Sequence, residues 1–154
     1  MTAADYIDAN RRELERMRAL VHRLNDEQLQ RQVNPAWTVA AVLGHVAFWD
    51  ARNLSLIEKW ESGRAQPSQS DWEHSESVDW INDATRELIH AIAPRRCAEL
   101  ALHIAEQTDQ RVANLSPSLL QANAAAGSPV NPLRATHRGE HLDDIEAALK
   151  LARQ

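Results

Sequence analysis

Apolar residues recur at steps of three and four along nearly the whole chain, and nowhere in the two-residue alternation that marks a strand. Ile7, Leu14, Met17, Val21 and Leu24 form the first such stripe, with one step skipped at Asn10, and predict a helix from about Ala3 to Leu24. Asn25-Asp26-Glu27 ends it, and Asn34-Pro35 marks a connecting loop. Thr38 is placed to cap a second helix, whose Val39, Val42, Val46, Trp49, Asn53, Ile57 and Trp60 trace one face up to a stop at Gly63. A polar loop follows from Gly63 to Ser70, then a shorter helix from about Ser77 to Ala93. Pro94 can open a further helix reaching about Asn114, because a proline at the first helical position loses no hydrogen bond. Ser116 to Val130 reads as a small-residue loop, and Asn131-Pro132 as the cap and first residue of a last helix carrying Leu133, His137, His141, Ile145, Ala148 and Leu149 on one face. With only four glycines and no strand pattern, the expectation is an all-α, four-helix bundle with a short extra helix, in a single domain over residues 1–154.

A chain of 154 residues buries about 68–70% of its unfolded surface on folding and needs no disulfide. The single Cys97 can form no internal bridge and no thiolate metal site, which suits a reducing cytoplasm. No basic start leads into an apolar run, so no secretory signal is expected, and no stretch approaches the ~20 apolar residues of a membrane span. Net charge is −5 with both signs interleaved, and the pairs Arg11-Arg12 and Arg95-Arg96 sit among acids, so nucleic acid is excluded as a partner. Five tryptophans, at 37, 49, 60, 72 and 80, stand against one phenylalanine and one tyrosine.

Three histidines carry the functional question. His137 and His141 lie four apart, which on a helix sets both side chains on one face about 5–6 Å apart at Cβ. Both fall on the apolar stripe rather than the wet side. Burying two neutral imidazoles leaves four ring nitrogens to satisfy, at about 1–3 kcal/mol for each one left unmade. A metal ion would occupy one nitrogen on each ring, with His45 from the second helix as candidate third ligand. Gly139, between the pair, costs about 1 kcal/mol in a helix and makes sense if another helix or a ligand comes close. His137-Arg138-Gly139-Glu140-His141 also matches the His-x-x-Glu-His pattern of inverzincin proteases. Only thirteen residues follow His141, too few for the downstream ligand of those enzymes. His22, His74, His90 and His103 lack such a partner and read as ordinary surface or singly satisfied residues.

Asp50 and Glu140 are the carboxylates nearest these histidines in sequence. Each is either a base or orienting group, or simply a solvated charge on a helix face. Trp37 and Trp49 flank His45 and either line a substrate pocket or fill the core.

Trp37-Thr38-Val39 leading into Leu43-Gly44-His45-Val46-Ala47-Phe48-Trp49-Asp50, with the closing His137-x-x-x-His141 pair, resembles the DinB-like superfamily. The Leu24-Asn25-Asp26-Glu27-Gln28-Leu29 turn, the Gly63-Arg64 loop and Trp80-Ile81-Asn82 extend the resemblance over nearly the whole chain. The resemblance implies a bundle with one long crossover connection, commonly a homodimer, holding a divalent metal (zinc or nickel) on His45, His137 and His141. It also implies two chemistries on a small electrophilic substrate. One is thiol-dependent S-transfer with a low-molecular-weight thiol such as mycothiol or bacillithiol, and the other is hydrolysis. The alternative is a non-catalytic bundle that binds or sequesters a small molecule, its metal structural or vestigial.

Overall fold

The computed structural model describes residues 1–71 and 74–151, so Trp72 lies outside the described residues. Among the described residues are helices α1 (Ala3–Arg23) and α2 (Asp26–Leu29), then an antiparallel ribbon of β1 (Gln32–Asn34) and β2 (Trp37–Thr38). Helices α3 (Val39–Glu61), α4 (Ser75–His90), α5 (Pro94–Ala113), α6 (Pro117–Ala125) and α7 (Ala135–Leu149) follow. The fold is an all-α bundle in which α1 and α3 each pack against both α5 and α7.

Residue pairs across these interfaces give the directions. Arg16 meets Asp143 and Glu146, while Asn10 meets Ala135, so α1 and α7 run parallel. Arg95, near the start of α5, donates to Leu24 O at the end of α1 (2.8 Å), so those two are antiparallel. Gly44 faces Cys97, Thr108 Oγ1 donates to Asp50 O, and Arg111 pairs with Glu61, which makes α3 and α5 parallel. Two consecutive bundle helices can be parallel only if the chain returns the length of the bundle between them. Residues 62–93, with α4 packed on α3, make that crossover.

The ends of α3 follow from local chemistry. Thr38 Oγ1 accepts from Ala41 N (3.1 Å) and caps its start. Its last carbonyls are closed by Gly63 N to Trp60 O and Arg64 N to Lys59 O, a Schellman pair in which Gly63 adopts φ +71°.

Five local expectations are corrected. Residues 116–130 are not one loop, since Ser116 caps α6 through Leu119 N with Pro117 at its first position, a cap and proline start hidden by small residues. The last helix begins at Ala135 rather than Pro132, because Asn131 Oδ1 accepts from Leu133 N in a turn of its own. Asn25 does more than end α1, since with Gln28 it forms the capping box of α2. Ile7 is exposed, and the skipped Asn10 is buried instead. Asn10 Nδ2 donates to Pro132 O and its Oδ1 accepts from Ala135 N (both 2.8 Å), so α1 caps the start of α7. Arg95 is likewise more than a solvated charge, reaching Leu24 O and Val21 O at the open end of α1.

The interior is divided. A large apolar cluster holds Leu14 to Leu24 of α1, Val39 to Ala47 of α3, Cys97 to Ala105 of α5 and Leu142 to Leu149 of α7. A smaller one gathers Tyr6, Ile57, Trp60, Val112, Leu115 and Val130. Between them, on every bundle helix, the buried residues turn polar: Asn10, Asp50, Asn53, Thr108 and Arg138.

Two glycines contrast. A Cβ on Gly44 would lie 2.6 Å from Ile89 Cγ2 and 3.2 Å from Cys97 Sγ, so α3 approaches α4 and α5 at a distance only glycine permits. At Gly139 the nearest atom would be the flexible end of Glu13, at 3.4 Å. Gly44→Ala is therefore expected to destabilise, because overpacking of about 1–3 kcal/mol outweighs a helix-propensity gain of about 1 kcal/mol. Gly139→Ala should be neutral or stabilising, and urea unfolding midpoints of the two variants check the contrast.

Candidate metal centre

His45 sits in the second turn of α3, immediately after Gly44, so the close approach of α3 to its neighbours also fixes this ring. His137 and His141 occupy successive turns of α7, antiparallel to α3, and the three rings converge. His137 Nε2 lies 3.3 Å from His45 Nε2 and 3.2 Å from His141 Nε2. Four-coordinate zinc with Zn–N bonds of about 2.0–2.1 Å spaces its nitrogens about 3.3 Å apart. Hydrogen bonding alone explains the arrangement poorly. A ring nitrogen has either one proton or one lone pair in its plane, so His137 Nε2 cannot serve both neighbours well. The donor set, three imidazole nitrogens turned toward one point, fits a divalent cation.

Burial holds all three rings in the neutral form that metal binding requires. Desolvation, with repulsion from His141, takes His45 down to about 4. His137 is pushed well below the usual histidine value by desolvation and the charge of His141, with Arg134 adding to the effect. His141 is lowered by desolvation, though Asp144 and Glu140 pull the other way. The Nδ1 atoms of His45 and His137 are buried without a hydrogen-bond partner among the described residues. His141 Nδ1 lies 3.9 Å from Asp144, beyond hydrogen-bond distance. The rings are thus aimed by packing rather than by a carboxylate behind them. Trp37 supplies part of that packing, its ring edge-on to His45 with centroids 5.5 Å apart.

The histidines form one wall of a cavity of about 400 Å³. Trp49, Val78 and Pro129 give it apolar surface, and Arg52 and Arg134 bring guanidinium groups. Trp49 is oriented by its Nε1 donating to Asn82 Oδ1 (2.9 Å), which ties α3 to α4 at the rim.

The two carboxylates have different fates. Asp50 is fully buried, which overturns its reading as a solvated helix-face charge. Its Oδ1 accepts from Arg134 Nε and its Oδ2 from Arg138 Nε, both at 2.9 Å. Arg138, with no exposed surface, also forks onto Asp109 of α5 through two 2.8 Å bonds. Burial opposes the charge on Arg138, yet Asp50 and Asp109 carry its pKa above the usual arginine value. Glu140 is exposed, as a helix-face charge. The buried roles of Arg134, Arg138 and Asn10 were not read from the sequence, although each is a polar residue interrupting or bordering an apolar stripe.

The family model of the DinB superfamily matches residues 9–143, which include all three histidines. The chain belongs to the DinB superfamily. Comparison with curated proteins gave no match, and comparison with solved structures gave none either. In this DinB-superfamily chain the histidine cluster and the charged network share α3 and α7, so the network holds the register on which the cluster depends.

Asp50→Asn, which takes from Arg134 its ion-pair partner while Arg138 keeps Asp109, should cost about 3–5 kcal/mol in urea unfolding. The histidines add a pH dependence to the metal-free protein. Burial lowers the pKa of His45 from the ordinary histidine value of 6.5, which it has when unfolded, to about 4 in the fold. Between those values the unfolded chain carries the extra proton, so stability is complete above pH 6.5 and falls as the pH drops toward 4. Unfolding midpoints at pH 7.5 and 5 should show that loss, with a smaller difference in His45→Gln.

Proposed function

We propose that this protein is a metal-dependent enzyme in which His45, His137 and His141 hold a divalent cation, zinc or nickel, at the wall of the cavity. The observation that carries this reading is the convergence of three partly buried, neutral imidazoles at the spacing of a tetrahedral ligand set. A cation so bound supplies Lewis acidity, which lowers the pKa of a water or thiol in its open positions. Three protein ligands with a cavity in front suit a catalytic site better than a structural one, which would be closed. Trp49, Val78 and Pro129 shield a small substrate from water and present it to the histidine wall.

Among the described residues lining the cavity there is no aspartate or glutamate. A bound cation would ionise a thiol or a water alike, so either could attack an electrophile without such a carboxylate. The DinB resemblance favours thiol-dependent S-transfer, with a low-molecular-weight thiol such as mycothiol or bacillithiol, over hydrolysis. Both oxygens of Asp50 are engaged by arginines and Glu140 is exposed, so each acts through position or field at most. The homodimer that the resemblance implies, and the cytoplasmic setting that the lone Cys97 suits, belong to the same reading.

Elemental mass spectrometry of untagged protein tests it. About one divalent ion per chain is expected, lost in the His137→Ala/His141→Ala variant. No bound metal, and none taken up from zinc or nickel solutions, overturns the enzyme reading and leaves a bundle that binds a small molecule without turning it over.

A further inference from the structure

Arg134 and Arg138 both bind Asp50, but they use their guanidinium groups differently. Arg138 spends all three nitrogens on protein acceptors: Nε on Asp50, one Nη on Asp109, and the other on Asp109 and Ala105 O. Arg134 spends only Nε, on Asp50 Oδ1. Its side chain is 7% exposed, and its two Nη groups have no hydrogen-bond partner among the described residues. Those Nη groups are not sealed in the interior, because Arg134 lines the histidine cavity. An arginine this buried, with one edge held rigid and the other facing a cavity, is a preorganised fork for two oxygens.

The electrostatics of the cavity agree. The chain has 22 acidic residues and a net charge of −5. Yet the described lining contains two arginines, three histidines and no carboxylate. Arg52 adds its charge from the opposite helix while its Nη1 donates to Pro129 O (2.7 Å). The charged side chains on the described lining are cationic, with Asp50 behind Arg134 offsetting part of that charge, and such a lining favours an anion over a neutral ligand.

We propose that Arg134 is the carboxylate-binding residue of this cavity, and that the natural ligand is a small organic acid with an apolar body. The carboxylate takes the free Nη edge of Arg134, and the apolar part lies against Trp49, Val78 and Pro129. Arg134 precedes His137 by three residues, one helical turn, with Cβ atoms about 5–6 Å apart. The reacting group of such an acid therefore sits only a few bonds from its carboxylate. This assignment rests on the cavity being the substrate site of the reading above, and it names the substrate class.

The test is titration calorimetry of 3-phenylpropanoate and its neutral amide, 3-phenylpropanamide, on metal-free and zinc-treated protein whose metal content is measured in the same samples. The acid is expected to bind the metal-free protein at least tenfold tighter than the amide. Arg134→Gln should reduce that preference to twofold or less, through a larger loss of affinity for the acid than for the amide, and Arg134→Lys should restore part of it. Because Arg134 also supports Asp50, helicity and melting are checked first. If Arg134→Gln does not fold, side-chain nitrogen NMR of the wild-type arginines replaces it, with the Arg134 Nε signal expected to shift with the acid and not with the amide. Equal affinity for acid and amide, a preference unchanged in Arg134→Gln, or an unshifted Arg134 signal overturns the proposal. So does a preference seen only with zinc, which makes the carboxylate a metal ligand instead. Acid preference in a protein that takes up no metal upholds the subsite and overturns only the metal-dependent reading.

Discussion

The structure turns on a charged network buried between two apolar clusters: Asp50 of α3, Asp109 of α5, and Arg134 and Arg138 at the start of α7. Apolar packing alone would leave these helices free to slide by a turn, because leucine and alanine surfaces interlock nearly as well in neighbouring registers. Directional bonds between largely desolvated charges do not tolerate such a slip, since a displaced guanidinium would be stranded without a counter-charge. Asn10 works to the same end from α1, capping α7 at the level of the network. The polar belt therefore sets where α7 stands against the rest of the bundle.

The histidine cluster needs that placement. His45 comes from one helix and His137 and His141 from another, and ligation tolerates errors of only a few tenths of an ångström. The usual second hydrogen bond to a ligand histidine is missing for the Nδ1 atoms of His45 and His137 among the described residues. Orientation must then come from the helix frame and from the rings packed around the cluster, Trp37 among them. Gly44 contributes by letting α3 sit tight on Ile89 and Cys97 one residue before the ligand.

Much of this was legible in the sequence because helices announce themselves by period. The 3.6-residue stripe located α1, α3 and α5 nearly to the residue, and the i, i+4 spacing with the apolar position of His137 and His141 pointed to a shared inward task. What the stripe hid were its exceptions. Asn10 looked like a skipped step and Asp50 like a wet charge, because a periodicity argument assigns polar residues to the solvent face. Only a partner far along the chain makes a buried charge tenable, and Arg134 and Arg138 lie more than eighty residues from Asp50. The helix at 117–125 was missed for another reason. Its alanines and serines bear little amphipathic signal, although Ser116-Pro117 was a readable start.

Helix α7 carries two interleaved stripes, Arg134 with Arg138 and His137 with His141. At about 100° per residue, positions three apart differ by about 60° around the axis, so the stripes occupy adjoining sectors of one surface. One sector faces Asp50 and Asp109, the other faces His45 and the cavity. Arg138 lies wholly within the first and is saturated by it. Arg134, a turn nearer the helix start, spans the boundary, with Nε in the network and its remaining donors toward the cavity. A group rigidly held on one edge and open on the other offers a ligand donors whose ordering cost the fold has already met. The same bond to Asp50 thus keeps the bundle in register and presents the open edge of Arg134 to the cavity.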